Sequence, residues 1–170
     1  MDTPTKAATD ARAPGVPEGY RSVNPWVITR DTGALIDFAT AAFDAVEIAR
    51  VVDEKGVIGH AEFRIGDSMV LAFDAKPEWP ATPAFLRLYV EDADATFKGA
   101  LDAGGTAVTE VTHLPWGDRV GRIRDPLGNL WWIQARIETV SEEEMGKRME
   151  QPEWQERMAY VQSSIAFPAS

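Results

Sequence analysis

Apolar positions along this chain change their period in a fixed order. They run at strand-like density through "VNPWVIT", take helical spacing over roughly residues 32 to 43, and return to strand patterns in "EIARVVD", "GHAEFRI" and "SMVLAFD". The order then recurs in "AFLRLYVE", a helical stretch over roughly 93 to 103, "TAVTEVT", "DRVGRIRD" and "NLWWIQA". Each half therefore predicts strand, helix, strand, strand, strand. Asp31 and Asp92 stand where helix N-caps belong, because a short carboxylate can accept from the unpaired amides of a first turn. The "AGG" at 103 to 105 predicts the stop of the second helix.

The two halves share more than an order of elements. Gly59, Arg64, Ile65 and Asp67 in the first recur as Gly117, Arg122, Ile123 and Asp125 in the second, a common frame G-x-x-x-x-R-I-x-D. Ile36, Ala39 and Phe43 of the first helix answer Phe97, Ala100 and Gly104. Such self-similarity predicts two copies of one structural unit. The expected boundaries are a disordered arm over 1–19, a first module over 20–76, a proline-rich linker over 77–83, a second module over 84–137 and a helical extension over 138–165. Ser141 and Glu144 form a capping box for the extension's helix.

Strand periodicity also predicts which side chains share a face. Leu86, Leu88 and Val90 suit a face covered by helix, which turns Phe85, Arg87 and Tyr89 the other way. Ala61, Phe63 and Ile65 likewise leave His60, Glu62 and Arg64 on the opposite face. Extension through the repeat adds Asp118, Val120 and Arg122, and "NLWWIQ" adds Leu130, Trp132 and Gln134.

Composition narrows the function. The chain has 170 residues, 45% of them hydrophobic, which suits one compact domain or two small modules. It has no cysteine, so disulfides, thiolate zinc sites and cysteine nucleophiles are excluded. No apolar signal core opens it and no run of apolar residues is long enough to span a bilayer, so the expectation is a cytoplasmic protein without a membrane partner. The net charge of −10 and the absence of basic clusters disfavour nucleic acid. Phosphate-loop, dinucleotide and nucleophile-elbow motifs are absent. An acidic body favours a cationic ligand, whereas inward arginines favour an anionic one.

The tandem βαβββ pattern, with "IDFATAAF", "GHAEFRIGDSMVL" and "WGDRVGRIRDPLGNLWWI", resembles the vicinal oxygen chelate superfamily, and within it the PhnB-like branch. That superfamily holds glyoxalase I, extradiol dioxygenases, fosfomycin-resistance enzymes and bleomycin-resistance binding proteins. The resemblance covers about residues 21 to 136. It implies an α+β fold of tandem βαβββ modules forming half-barrels around a cavity, in a homodimer whose cavities in many members combine modules of both chains.

Metal-dependent members place four His, Glu or Gln ligands on the first and last strands of the two modules. Aligned through "IDF", "VED" and "DPLGN", those positions fall here on Asn24, Ala72, Phe85 and Trp132. Asn is a weak donor and the other three are not ligands, so the standard metal site is expected to be lost. Drug-binding members likewise lack the metal and line the cleft with aromatic rings. By that likeness Trp26, Phe85, Tyr89 and Trp132 line a pocket, Trp116 stands near its mouth, Arg87 and Gln134 orient a small organic ligand, and Asn24, His60, Glu62 and Arg122 complete the expected ligand-binding set. These rings read equally as core filling, and Arg87 as the ion-pair partner of Glu62. His60 and Glu62 read either as polar sheet contacts or, in an enzyme, as an acid-base pair or two ligands of a displaced divalent metal. His113 is expected to be solvated or in a turn contact. The leading expectation is sequestration or carriage of an aromatic or extended molecule without a cofactor, as in antibiotic-binding resistance proteins. The alternatives are a lyase, isomerase or dioxygenase-type enzyme and a dimer scaffold with a filled cavity.

Overall fold

The computed structural model describes residues 15–80 and 82–163. In chain order these form β1 (Trp26–Thr29), α1 (Thr32–Phe43), β2 (Val46–Val52), β3 (Ile58–Ile65), β4 (Ser68–Asp74), β5 (Phe85–Tyr89), α2 (Ala93–Asp102), β6 (Thr106–His113), β7 (Asp118–Arg124), β8 (Leu130–Arg136), α3 (Glu142–Glu150) and α4 (Pro152–Ser163). The strands make two four-stranded sheets of matching topology, β1-β4-β3-β2 and β5-β8-β7-β6. In each, the first strand runs parallel to the last and the other pairs are antiparallel. The fold is α+β, and the repeated frame occupies equivalent strands of the two sheets.

Local chemistry explains where the helices begin. Asp31 accepts from the amide of Ala34 at 2.9 Å, and Asp92 accepts from those of Asp94 and Ala95 at 3.0 Å. Both residues are extended, as an N-cap must be. After α2, Gly104 adopts φ 101°, a left-handed conformation that opens the chain toward β6.

One continuous core joins the modules. Leu35, Phe38, Ala39 and Phe43 of α1 meet Phe97 and Ala100 of α2, with Phe63 and Val70 from one sheet and Ile123, Trp131 and Ile133 from the other. Small residues permit a close crossing of the helices: a Cβ on Gly99 would stand 3.9 Å from the Ala42 carbonyl. Trp131 anchors the joint, its ring centroid 4.8 Å from that of Phe43 and its indole N–H donating to Asp125. Each sheet thus turns its helix-side face to the shared core and its other face, called here the open face, outward.

The extension differs from the single helix expected. Ser141 accepts from the amide of Glu144, but the Glu144 carboxylate goes forward to Arg148 instead of back to the cap. The helix then ends at Gln151, because Pro152 lacks the amide needed to continue it and suits a first helical position. The result is α3 followed by α4. No helix among the described residues is long and apolar enough to cross a membrane.

Candidate functional site

The two open faces carry most of the side chains expected to line a ligand. Phe85, Arg87 and Tyr89 lie exposed on β5 while Leu86 and Leu88 pack on the core. His60 and Glu62 share the open face of β3, because Ala61 and Phe63 between and beyond them are fully buried on the helix side. Trp132 and Gln134 oppose the core residues Trp131 and Ile133, and Val120 and Arg122 alternate with the helix-facing Gly121 and Ile123. Register shifts occur in β2 and β6, whereas the pairings of β3 with β4, β5 with β8 and β7 with β8 are unbroken. The phase therefore holds where the candidate residues lie.

The first open face is apolar and aromatic around one polar cluster. Trp26 meets Phe73 edge to face at 5.7 Å and His60 at 6.4 Å, and Phe73 meets Trp79 at 6.0 Å. His60 Nε2 stands 2.8 Å from Glu62 Oε1. Tyr20 also bonds Glu62. This pair of hydrogen bonds holds the Glu62 carboxyl below its ordinary range, the Tyr20 bond contributing most, while the adjoining carboxylate pushes the Tyr20 phenol up to about 12. Residues 1–14 of the expected arm lie outside the described residues. Within 15–19, a Cβ on Gly19 would stand 3.6 Å from the Met69 side chain, so the segment before Tyr20 runs against this module.

The second open face is cationic and partly covered. Arg87 and Arg122 stack on the Trp132 ring, their guanidinium carbons 4.3 and 4.0 Å from its centroid. These residues are neighbours across β5, β8 and β7. Arg87 thus engages Trp132 and not Glu62, which belongs to the other sheet. Gln134 donates to Tyr89 at 3.1 Å and also to Asp118, and Asp118 pairs with Arg136. Val161 and Met158 of α4 pack on Leu114, Val120, Trp116 and Trp132, and Arg122 Nη1 donates to the Val161 carbonyl at 2.5 Å. Burial, and secondarily the Arg87 charge, lower the pKa of Arg122. His113 is neither free nor in a simple turn contact: its Nε2 lies 3.0 Å from Glu138 and its ring meets Trp154 at 5.1 Å.

Two of the four metal positions stand on the open faces, Phe85 and Trp132. Asn24 precedes β1, bonded in both directions to the backbone of Arg21. Ala72 is fully buried in the helix-side core, so the open-face residues of β4 are its neighbours Leu71 and Phe73. None of these side chains except the amide of Asn24 is a metal donor, and His60 with Glu62 supplies only two ligands. Among the described residues no three His, Cys, Asp or Glu side chains come together. The residues present do not fit the superfamily's four-ligand metal centre.

A cleft of about 640 Å³ lies elsewhere, along the free edge of β5 between the modules. Its floor includes Phe43, Val70, Leu86, Leu88 and Trp131, and its rim Asp44, Asp67, Glu91 and Asp92. Of the expected ligand residues it shares Asn24, Arg87 and Tyr89. Sequence reasoning missed Tyr20, Phe73 and the two α4 side chains. Only Phe73, alternating with Leu71 in "SMVLAF", carried a usable signal.

Comparison with known proteins agrees with this architecture. The model of the Glyoxalase/Bleomycin resistance protein/Dioxygenase superfamily matches residues 22–133. An uncharacterized protein of Mycobacterium bovis is 34% identical over 139 residues, 75% of this chain and 91% of that one. Among solved structures, TioX from Micromonospora sp. ML1 superposes with a TM-score of 0.56 at 22% identity, over 70% of this chain and 98% of that chain. The PhnB protein from Bacillus cereus gives 0.54 at 16%, over 68% and 99%. The fosfomycin resistance protein FosX from Listeria monocytogenes gives 0.54 at 15%, over 72% and 95%. At these identities the solved structures support the fold alone.

Proposed function

This chain belongs to the Glyoxalase/Bleomycin resistance protein/Dioxygenase superfamily, and within it we propose a small-molecule binding protein that sequesters or carries an aromatic or extended organic ligand on its open faces. The observation that carries this reading is the exposure of large rings on the two open faces. Trp26 is 59% exposed, Phe85 54% and Tyr89 63%. Large aromatic side chains left in water on both open faces, Trp26 on the first and Phe85 and Tyr89 on the second, mark surfaces built to be covered. In the proposed assembly a homodimer sets the open face of one module opposite that of its partner's other module, and the ligand stacks between them. Antibiotic resistance, the role that the name of FosX gives that protein, is one use of such a cavity.

Tryptophan fluorescence titrated with charged and neutral planar aromatics tests the reading, with the assembly followed by light scattering. A saturable response that is lost in Trp26→Ala and Trp132→Ala is expected. A response unchanged in both variants contradicts the assignment.

A second reading rests on the convergence of His60 and Tyr20 on Glu62. In it, this cluster performs acid-base chemistry, or His60 and Glu62 hold a displaced divalent metal. Stoichiometric Fe, Mn, Ni or Zn in protein purified without chelator, lost in His60→Ala, would favour it over simple binding.

A further inference from the structure

Arg122 is an unusual residue for an acidic chain. It is 1% exposed, and among the described residues no carboxylate pairs with it or with Arg87. Asp118, the acidic residue that β7 places on this face, is engaged by Gln134 and Arg136. A guanidinium withdrawn from water without a counter-charge is costly. What Arg122 has instead is the carbonyl of Val161, in the last turn of α4, where helix carbonyls lack intrahelical partners and the helix dipole presents its negative end.

The surrounding polar atoms are also incompletely matched. Arg122 Nε, Trp132 Nε1, Gln134 Oε1 and Thr109 Oγ1 are buried without a hydrogen-bond partner among the described residues. All four belong to neighbouring positions on one face, since Arg122 pairs across the sheet with both Thr109 and Trp132. Unmatched donors outnumber acceptors here, and beside them Arg87, Phe85 and Tyr89 remain open to solvent. Two guanidinium planes on an indole, flanked by exposed rings, suit a flat molecule that ends in an oxyanion.

We propose that Arg87, Trp132 and Arg122 form a binding site for an aromatic oxyanion, a carboxylate or phosphate on a planar ring. The C-terminal end of α4 occupies part of this site until the ligand anion displaces it. The inference rests on the small-molecule reading above and names its ligand class. Because α4 and ligand compete for one cation, apparent affinity is set by how often α4 leaves as well as by direct contacts.

The experiment uses the full chain and four probes: naphthoate, naphthyl phosphate, neutral naphthylmethanol and cationic naphthylmethylamine. Naphthoate or naphthyl phosphate should bind at least tenfold more tightly than the neutral and cationic analogues, the stronger of the two identifying the oxyanion. Arg87→Gln, at an exposed position, should remove that preference, and Arg64→Gln, the counterpart of Arg122 in the first module, should preserve it. Met158→Ala with Val161→Ala, which loosens α4 without touching Arg122, should tighten oxyanion binding severalfold. Equal affinity for all four probes, or a preference that survives Arg87→Gln, overturns the oxyanion site while leaving the binding reading intact. Unchanged affinity in the loosened variant overturns the competition by α4. Failure of every probe, in that variant too, overturns both this inference and the binding reading.

Discussion

The same four-residue frame has opposite surroundings in the two modules. In the first, Arg64 is exposed and donates to the Gly66 carbonyl, and Asp67 meets Ser68 and Arg21 with its side chain 78% exposed. In the second, Arg122 is buried under α4. Asp125 is buried as well, accepting from the amides of Leu127 and Asn129, the Asn129 side chain and the Trp131 indole. Gly59 meets nothing within 4 Å of a would-be Cβ, whereas one on Gly117 would collide with the Glu138 carbonyl. The repeat thus fixes backbone geometry in both copies, and what packs around each copy decides whether its polar residues face solvent or enter the fold. The extension after β8 covers the second module and leaves the first open face as an aromatic surface.

Paired substitutions test that asymmetry. The largest expected difference is at the aspartates. Asp125→Ala orphans several buried donors and should cost about 4 kcal/mol in urea unfolding, while Asp67→Ala, a screened surface pair, should stay within about 0.5 kcal/mol. Next come the glycines. Gly117 has φ +88° and no room for a Cβ, so Gly117→Ala should lose about 3 kcal/mol. Gly59→Ala, in open space within a strand, should be neutral or slightly stabilising by thermal melting. Equal losses at either pair would mean that the modules are more alike than their surroundings indicate.

A smaller effect concerns the polar cluster of the first face. Glu62 has a folded pKa below its ordinary value of 4.5, so the stability it contributes is fully present above that value and is lost as pH falls through the lower one. The Glu62 carboxyl carbon, followed by NMR, should titrate below 4.5 in the native chain and move upward in Tyr20→Phe. No movement in that variant would separate Tyr20 from the site.

Much of this was legible in the sequence, for identifiable reasons. The repeat, the caps at Asp31 and Asp92 and the facing of β3, β5, β7 and β8 follow from local periodicity in strands without register shifts. Ala72 was misplaced because the turns differ: two residues separate the paired Ile65 and Ser68, but five separate Arg124 and Leu130. A position transferred across turns of unequal length lost its phase. The cover by α4 and the reach of Tyr20 to Glu62 are contacts between segments far apart in the chain, and no periodicity encodes them.

In the proposed function the open faces, not the core or the inter-module cleft, receive an aromatic ligand. The six tryptophans give separate indole N–H signals in a nitrogen-15 spectrum, assignable by single Trp→Phe variants. Titration with naphthoate, naphthylmethanol and naphthylmethylamine should shift the signals of Trp26 and Trp132 and leave that of Trp131, bonded to Asp125 in the core beside the cleft, in place. A response centred on Trp131, with Trp26 and Trp132 silent, would move the ligand into the cleft and contradict the account.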